Sequence, residues 1–126
     1  QAGNPLQKLT PLMTKETLTA MQEEVERTYI KDSVVKYIVD LITATRNSEY
    51  IFRGASPRAT LAVTSMAKAM ARLQGSDYVL PGDVQAVFIR TVAHRLLLSA
   101  KAEDRKMSAE QILTALMQQV PAPKMY

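Results

Sequence analysis

The sequence predicts an all-α fold, five helices packed as a bundle with at most a tiny two-strand pairing of residues 50–52 with 78–80, and three features support it. Apolar residues recur every three or four positions over five separate stretches. Three of these stretches open on helix-start chemistry: Ser56-Pro57, Pro81-Gly82-Asp83, and Ser108 with Gln111 three residues on. The extended runs, Tyr50-Ile51-Phe52 and Asp77-Tyr78-Val79-Leu80, are too brief to support a sheet by themselves.

A chain of 126 residues is one domain, large enough to bury a core without disulfides or metals. It has no cysteine and one histidine, which removes a disulfide framework, thiolate zinc sites and most histidine-based metal sites, so no metal site is expected. No apolar run approaches bilayer length, and Gln1 to Pro11 lack the order of a secretion signal; the expectation is a cytoplasmic protein with no membrane contact. The net charge of +4 is uneven. Residues 1–50 carry 6 Lys and Arg against 7 Asp and Glu, whereas residues 51–126 carry 10 against 5.

Residues 1–13, with Pro5 and Pro11 and no steady periodicity, read as a linker from something upstream. From about Thr14 a peripheral helix follows, with Leu18, Met21 and Val25 on one face and Glu16, Glu23, Glu24 and Glu26 elsewhere. Those glutamates are either a solvated face or a docking surface. Asp32 or Ser33 is placed to cap a second helix running to about Arg46, whose wide apolar arc, Val34, Val35, Ile38, Val39, Leu41, Ile42 and Thr45, puts it at the centre.

The third helix is expected from Pro57 to about Gln74, stopped by Gly75, with Ala59, Ala62, Val63, Met66, Ala67, Ala69, Met70 and Leu73 inward. A fourth runs from Pro81 to about Leu98 and carries Arg95 in the middle of its apolar arc. A buried arginine there requires a carboxylate, helix-end carbonyls or another domain. Lys101 to Met107 reads as a charged loop. The last helix starts behind Ser108 and buries Ala109, Ile112, Leu113, Leu116, Met117 and Val120 before Pro121 and Pro123.

The candidate site is the entrance of the third helix. Gly54 frees the chain, Ser56 is the N-cap, and Pro57 suits the first helical position, where its missing N–H has no partner to lose. Arg58 then falls in the first turn, where the helix dipole disfavours a cation and attracts an anion. Two readings stand for it: a solvated or surface-paired arginine, or a forked donor that addresses an incoming phosphate. Leu61, on the same outward stripe, is either scattered surface or a contact to a second domain, and Arg95 is a second candidate for such a contact.

The order and local sequence of these elements resemble the C-terminal helical lid of AAA+ ATPases of the MoxR family. The segments that carry the resemblance are Tyr37-Ile38-Val39-Asp40-Leu41, Ala44-Thr45-Arg46, Gly54-Ala55-Ser56-Pro57-Arg58-Ala59-Thr60-Leu61-Ala62 and Asp77-Tyr78-Val79-Leu80-Pro81 with Asp83-Val84. His94-Arg95-Leu96, Ser108-Ala109-Glu110-Gln111-Ile112-Leu113 and Val120-Pro121 complete them. The resemblance implies a lid over residues 14–121, a linker at 1–13 from an ATPase core, and a tail at 122–126. It makes Arg58 the sensor 2 arginine that meets the γ-phosphate of ATP. ATP and Mg2+ are implied for the parent protein, not for the chain alone. Its implied partners are the parent's own core, neighbouring subunits of a hexameric ring and proteins with von Willebrand A domains, in chaperone-like remodelling. The sequence holds neither a Gly-x-x-x-x-Gly-Lys-Ser/Thr loop nor a strand ending in paired acids, so the chain by itself is not expected to be an enzyme. The alternative is a stand-alone basic helical module that binds nucleic acid or a protein partner. Nucleic acid is disfavoured by the lack of a Lys/Arg cluster beyond Arg105-Lys106 and by few aromatics for stacking.

Overall fold

The computed structural model describes residues 14–125, so the expected linker at 1–13 and the last residue of the tail lie outside the described residues. Helix α1 (Lys15–Glu26) is capped by Thr14, whose hydroxyl accepts from Thr17 N at 3.1 Å. None of its residues is buried, and Leu18 and Met21 stay exposed, as a peripheral helix requires. Helix α2 (Asp32–Thr45) buries Val34, Tyr37, Ile38, Leu41, Ile42 and Thr45 and packs against three other helices, which makes it the central element. Its cap is Lys31, with no side-chain bond, instead of Asp32 or Ser33; Asp32 stands in the first turn, where the helix dipole favours its charge.

After β1 (Ile51–Arg53) come α3 (Ala59–Leu73) and α4 (Pro81–Val92), which share the most extensive helix contact of the bundle. The buried side of α3 is Ala59, Val63, Ala67 and Ala71, one residue per turn, facing Val84, Val87, Phe88 and Val92 of α4. This stripe is narrower than the sequence predicts. Met66 and Leu73 are exposed, the latter at 81 %, because small residues at spacing four let α4 approach along a single line. At its end α3 closes with Gly75 at φ 80°, Ser76 N bonding Ala71 O and Gly75 N bonding Arg72 O at 2.9 Å each, a Schellman motif.

Helix α4 stops at Val92, six residues short of the expected end. Its entrance is held by buried Asp83, whose carboxylate accepts from Leu80 N at 2.8 Å. A 3-10 turn (Ala93–Arg95) follows and turns the chain into β2 (Leu97–Leu98). The expected pairing of 50–52 with 78–80 is therefore replaced: β1 runs antiparallel to β2, with Ile51 opposite Leu98 and Arg53 opposite Leu97. Ser99 clamps the pair, its N–H donating to Tyr50 O at 3.0 Å and its hydroxyl to Glu49 O at 2.8 Å. Tyr78 pairs instead with Tyr29 in a parallel bridge, which satisfies Tyr29 N through Asp77 O and Val79 N through Tyr29 O, both at 2.9 Å.

The stretch expected as a charged loop holds a short helix, α5 (Ala100–Asp104), capped by the Ser99 hydroxyl. It ends in a second Schellman motif, Met107 N to Ala102 O and Lys106 N to Glu103 O at 3.0 Å each, with Lys106 at φ 56° where glycine is usual. Helix α6 (Ala109–Gln119) has the expected capping box, Gln111 N to Ser108 Oγ at 3.1 Å and Ser108 N to Gln111 Oε1 at 2.9 Å. Six α-helices, one more than predicted, and a single two-stranded pairing are present among the described residues. Among these residues no helix is long and apolar enough to cross a membrane.

Candidate functional site

The entrance to α3 is built from the far end of α2. Thr45, fully buried in the last turn of α2, donates its hydroxyl to Ile42 O at 2.6 Å and accepts from Ala55 N at 3.1 Å. The neighbouring Gly54 is pressed against the same turn. A Cβ on it would lie 2.6 Å from Thr45 O and 2.8 Å from Arg46 Cγ, closer than real contacts allow. The glycine is thus required by close approach, since its role is to let two backbones meet. Ala55 and Ala59 are buried on either side of the exposed tripeptide Ser56-Pro57-Arg58, so the loop is anchored at both ends and presents its middle outward.

Regular α-helix begins at Ala59, two residues after the predicted start. Ahead of it, Ala59 N bonds Ser56 O at 2.9 Å, and Thr60 N and Leu61 N bond Pro57 O and Arg58 O at 3.1 Å each, a tight 3-10 entrance. Ser56 therefore contributes its carbonyl instead of the expected hydroxyl cap, and no side chain caps the helix. Three amides that a standard entrance would offer to an anion are already engaged. The guanidinium of Arg58 becomes the principal donor of this end. Its backbone is held in helical conformation, φ −65° and ψ −23°, by the proline before it and the bonds around it.

Arg58 is exposed, and the two salt bridges among the described residues, Lys36–Asp40 at 2.8 Å and Lys101–Glu49, do not involve it. The surface-paired reading is thereby removed for the described residues; between Tyr50 and Ser76 the chain holds no Asp or Glu. Other cations of α3 are engaged. Arg72 Nε donates to Thr28 Oγ1 at 2.8 Å and Lys68 Nζ to Glu26 O at 3.3 Å, so both tie α3 to the end of α1. Leu61 is 70 % exposed, outward as expected.

Arg95 is not buried. The helix that would have carried it inward ends at Val92, and the 3-10 turn places it at the surface, where Nε donates to Thr91 O at 3.1 Å. The expectation of a helix-end carbonyl as partner holds; the expectation of burial does not. Nothing in the geometry joins it to the α3 entrance. A separate groove of about 460 Å3 between the end of α2 and α6 is lined chiefly by Ala44, Tyr50, Met107, Ile112 and Leu116, with Glu49 its one carboxylate, and so offers no acid–base pair. Thr45 is the part of the site that helical periodicity hides, since it falls in the apolar arc of α2. The signal was there: a hydroxyl in an otherwise apolar arc, ten residues before Ala55.

Residues 43–116, which include the whole α3 entrance, match the family described as the AAA lid domain. The chain belongs to that family. The lid is 33 % identical over 123 residues to the uncharacterized protein YeaC of Bacillus subtilis, covering 98 % of this chain and 38 % of YeaC. It is 31 % identical to the chaperone MoxR1 of Mycobacterium tuberculosis, over 92 % of this chain and 34 % of MoxR1. Its fold matches a crystal structure of a protein from Cytophaga hutchinsonii, provisionally described as an ATPase, with a TM-score of 0.84 and 33 % identity over 90 % of this chain and 37 % of that one. The lid spans little more than a third of the length of these relatives. The MoxR-family resemblance seen in the sequence is borne out.

Proposed function

We propose that this lid couples ATP binding and hydrolysis in the ATPase core of a longer MoxR-type protein to movement of the bundle, with Arg58 as the sensor 2 arginine. The observation that carries the reading is a cation without a protein partner among the described residues, on a backbone that is locked before any ligand arrives. The backbone that carries the guanidinium needs no further ordering when a phosphate oxygen comes within reach, and a charge-assisted hydrogen bond, worth about 1.5–3 kcal/mol, offsets the rotamer freedom the side chain loses. After the γ-phosphate leaves, that stabilisation is lost and the lid is released from its closed position. Bound ATP with Mg2+ supplies the phosphoryl group; what this chain supplies is the positioned guanidinium and the rigid body attached to it.

Among the described residues no three or more His, Cys, Asp or Glu side chains gather as a metal site, so in this reading Mg2+ takes its ligands from the rest of the protein. Chaperone-like remodelling belongs to the same reading, supported by the name of the chaperone MoxR1; a hexameric ring, von Willebrand A domain partners and a cytoplasmic setting are what a MoxR-type parent implies. The basic-module alternative draws on the charge excess of residues 51–126 and on the helix, short strand, helix pattern around Tyr78, where the chain forms an isolated bridge to Tyr29. Steady-state ATP hydrolysis by the full-length protein tests the reading. Arg58→Ala should lower turnover, and unchanged turnover would sink the sensor assignment.

A further inference from the structure

We propose that Thr45 is a positioning residue for Arg58, holding the α3 entrance to the central helix so that a pull on the guanidinium is transmitted to the whole lid. The inference rests on the sensor reading of Arg58. Thr45 is completely buried, and its single hydroxyl joins two backbones: it donates to Ile42 O at 2.6 Å and accepts from Ala55 N at 3.1 Å. Ala55 is itself 1 % exposed, so without Thr45 its N–H has no water to turn to. From Ala55 to Arg58 is only three residues, and within them Pro57 fixes one torsion and the Ser56 carbonyl is tied to Ala59 N at 2.9 Å. Few free torsions separate the latch from the sensor.

At the other end the latch is welded to α2, whose residues Val34, Ile38 and Leu41 are fully buried and define the interior. Gly54 works with it: the absence of a side chain allows the loop to press on Thr45 O closely enough for the Ala55 N–H to reach the hydroxyl. Through its own chain Arg58 is tied only to α3, whose Leu61 N bonds Arg58 O at 3.1 Å. The latch adds a direct tie to α2, so α2 and α3 take up the pull together, and α4 and α6, packed against α2, move with them.

The test is a double-mutant cycle on ATP hydrolysis by the full-length protein, using Arg58→Ala, Thr45→Val and the pair, with Thr45→Ser as the conservative variant. Thr45→Val keeps the shape and removes the hydroxyl. The expected result is that Arg58→Ala lowers kcat by about tenfold or more, Thr45→Val by about threefold or more, and Thr45→Ser stays within about twofold of wild type. In the Arg58→Ala background Thr45→Val should have no further effect, because there is no guanidinium left to misplace. A merely structural threonine would cost the same factor in both backgrounds, and that outcome overturns the proposal. If Thr45→Val leaves kcat unchanged while Arg58→Ala lowers it, the latch role fails and the sensor reading survives. Should Arg58→Ala itself leave kcat unchanged, the sensor reading falls and the Thr45 role with it. Should Thr45→Val not fold by far-UV circular dichroism, Thr45→Ala, which leaves room for a water at Ala55 N–H, enters the same cycle with the same decision between additive and non-additive loss.

Discussion

Arg72 Nε donates to Thr28 Oγ1 at 2.8 Å, joining the last turn of α3 to the second residue past the end of α1. Thr28, itself buried, passes the link on by donating its hydroxyl to Glu24 O at 3.0 Å. Since α1 buries no residue of its own, such polar ties are a large part of what seats it. Arg72→Ala is expected to cost about 1–2 kcal/mol, read as a lower unfolding midpoint, and to speed amide exchange in α1 selectively. Exchange that rises evenly over all helices would contradict the local role.

Arg58→Ala should behave oppositely. The side chain is exposed and unpaired among the described residues, so the melting temperature of the lid should stay within about 2 °C of wild type, a change of under roughly 0.5 kcal/mol. Turnover in the full-length protein should drop by about tenfold or more. A large loss of stability would mean that the guanidinium has a structural partner.

Gly54→Ala places a methyl 2.6 Å from Thr45 O and should destabilise the lid by about 1–3 kcal/mol. Gly82→Ala is the matched control, because a Cβ there meets nothing within 4 Å. It sits in the first turn of α4, where reduced freedom of the unfolded chain should make the change neutral or stabilising by up to about 1 kcal/mol. Equal midpoints for the two variants in urea would refute the close-approach argument.

Lys106 occupies the left-handed position of the α5 Schellman motif at φ 56°, as Gly75 does for α3 at φ 80°. Lys106→Gly should therefore stabilise the lid by about 0.5–1 kcal/mol, and Gly75→Ala should destabilise it by a similar amount. Thermal unfolding of both variants checks the pair of opposite signs.

The Glu49 carboxyl is held below its ordinary value of 4.5, first by its hydrogen bond from Lys101 and next by the attraction of that ammonium. A lowered folded-state value means that the contribution is present above the unfolded value and disappears as pH falls through the folded one. The pair is at the surface, so the effect is small and screened by salt. Wild type and Lys101→Met should differ in melting temperature at neutral pH and low salt, and the difference should close as pH drops past 4.5. A gap that persists in acid would assign it to the Lys101 ammonium lying 5.5 Å from the centre of the Tyr50 ring, a contact that keeps its charge at low pH.

Legibility followed the range of the forces. Caps act within three or four residues, which makes Ser108 with Gln111 and Gly75 legible directly. The caps expected of Asp32 or Ser33 and of the Ser56 hydroxyl do not form, because Lys31 takes the first place and the Ser56 carbonyl bonds Ala59 N instead. Leu96-Leu97-Leu98 could not: three leucines continue a helical pattern as well as they form a strand, and only the presence of Tyr50 and Ile51 alongside decides. Ser99 is a good cap hidden behind that run, so the sequence predicts a loop where α5 forms and a core place for Arg95 that the 3-10 turn denies it.

The sequence by itself determined the helical class, the central place of α2, the outward Arg58 at the head of a helix, and the lid family. These depend on periodicity and on short motifs, whose physics is local. Tertiary structure alone decided which strands pair, where α4 ends, which line of α3 is buried, and that Thr45 reaches across to Ala55. Each of those is a choice between groups distant in the chain, and it is made by which buried amide or apolar surface would otherwise be left without a partner.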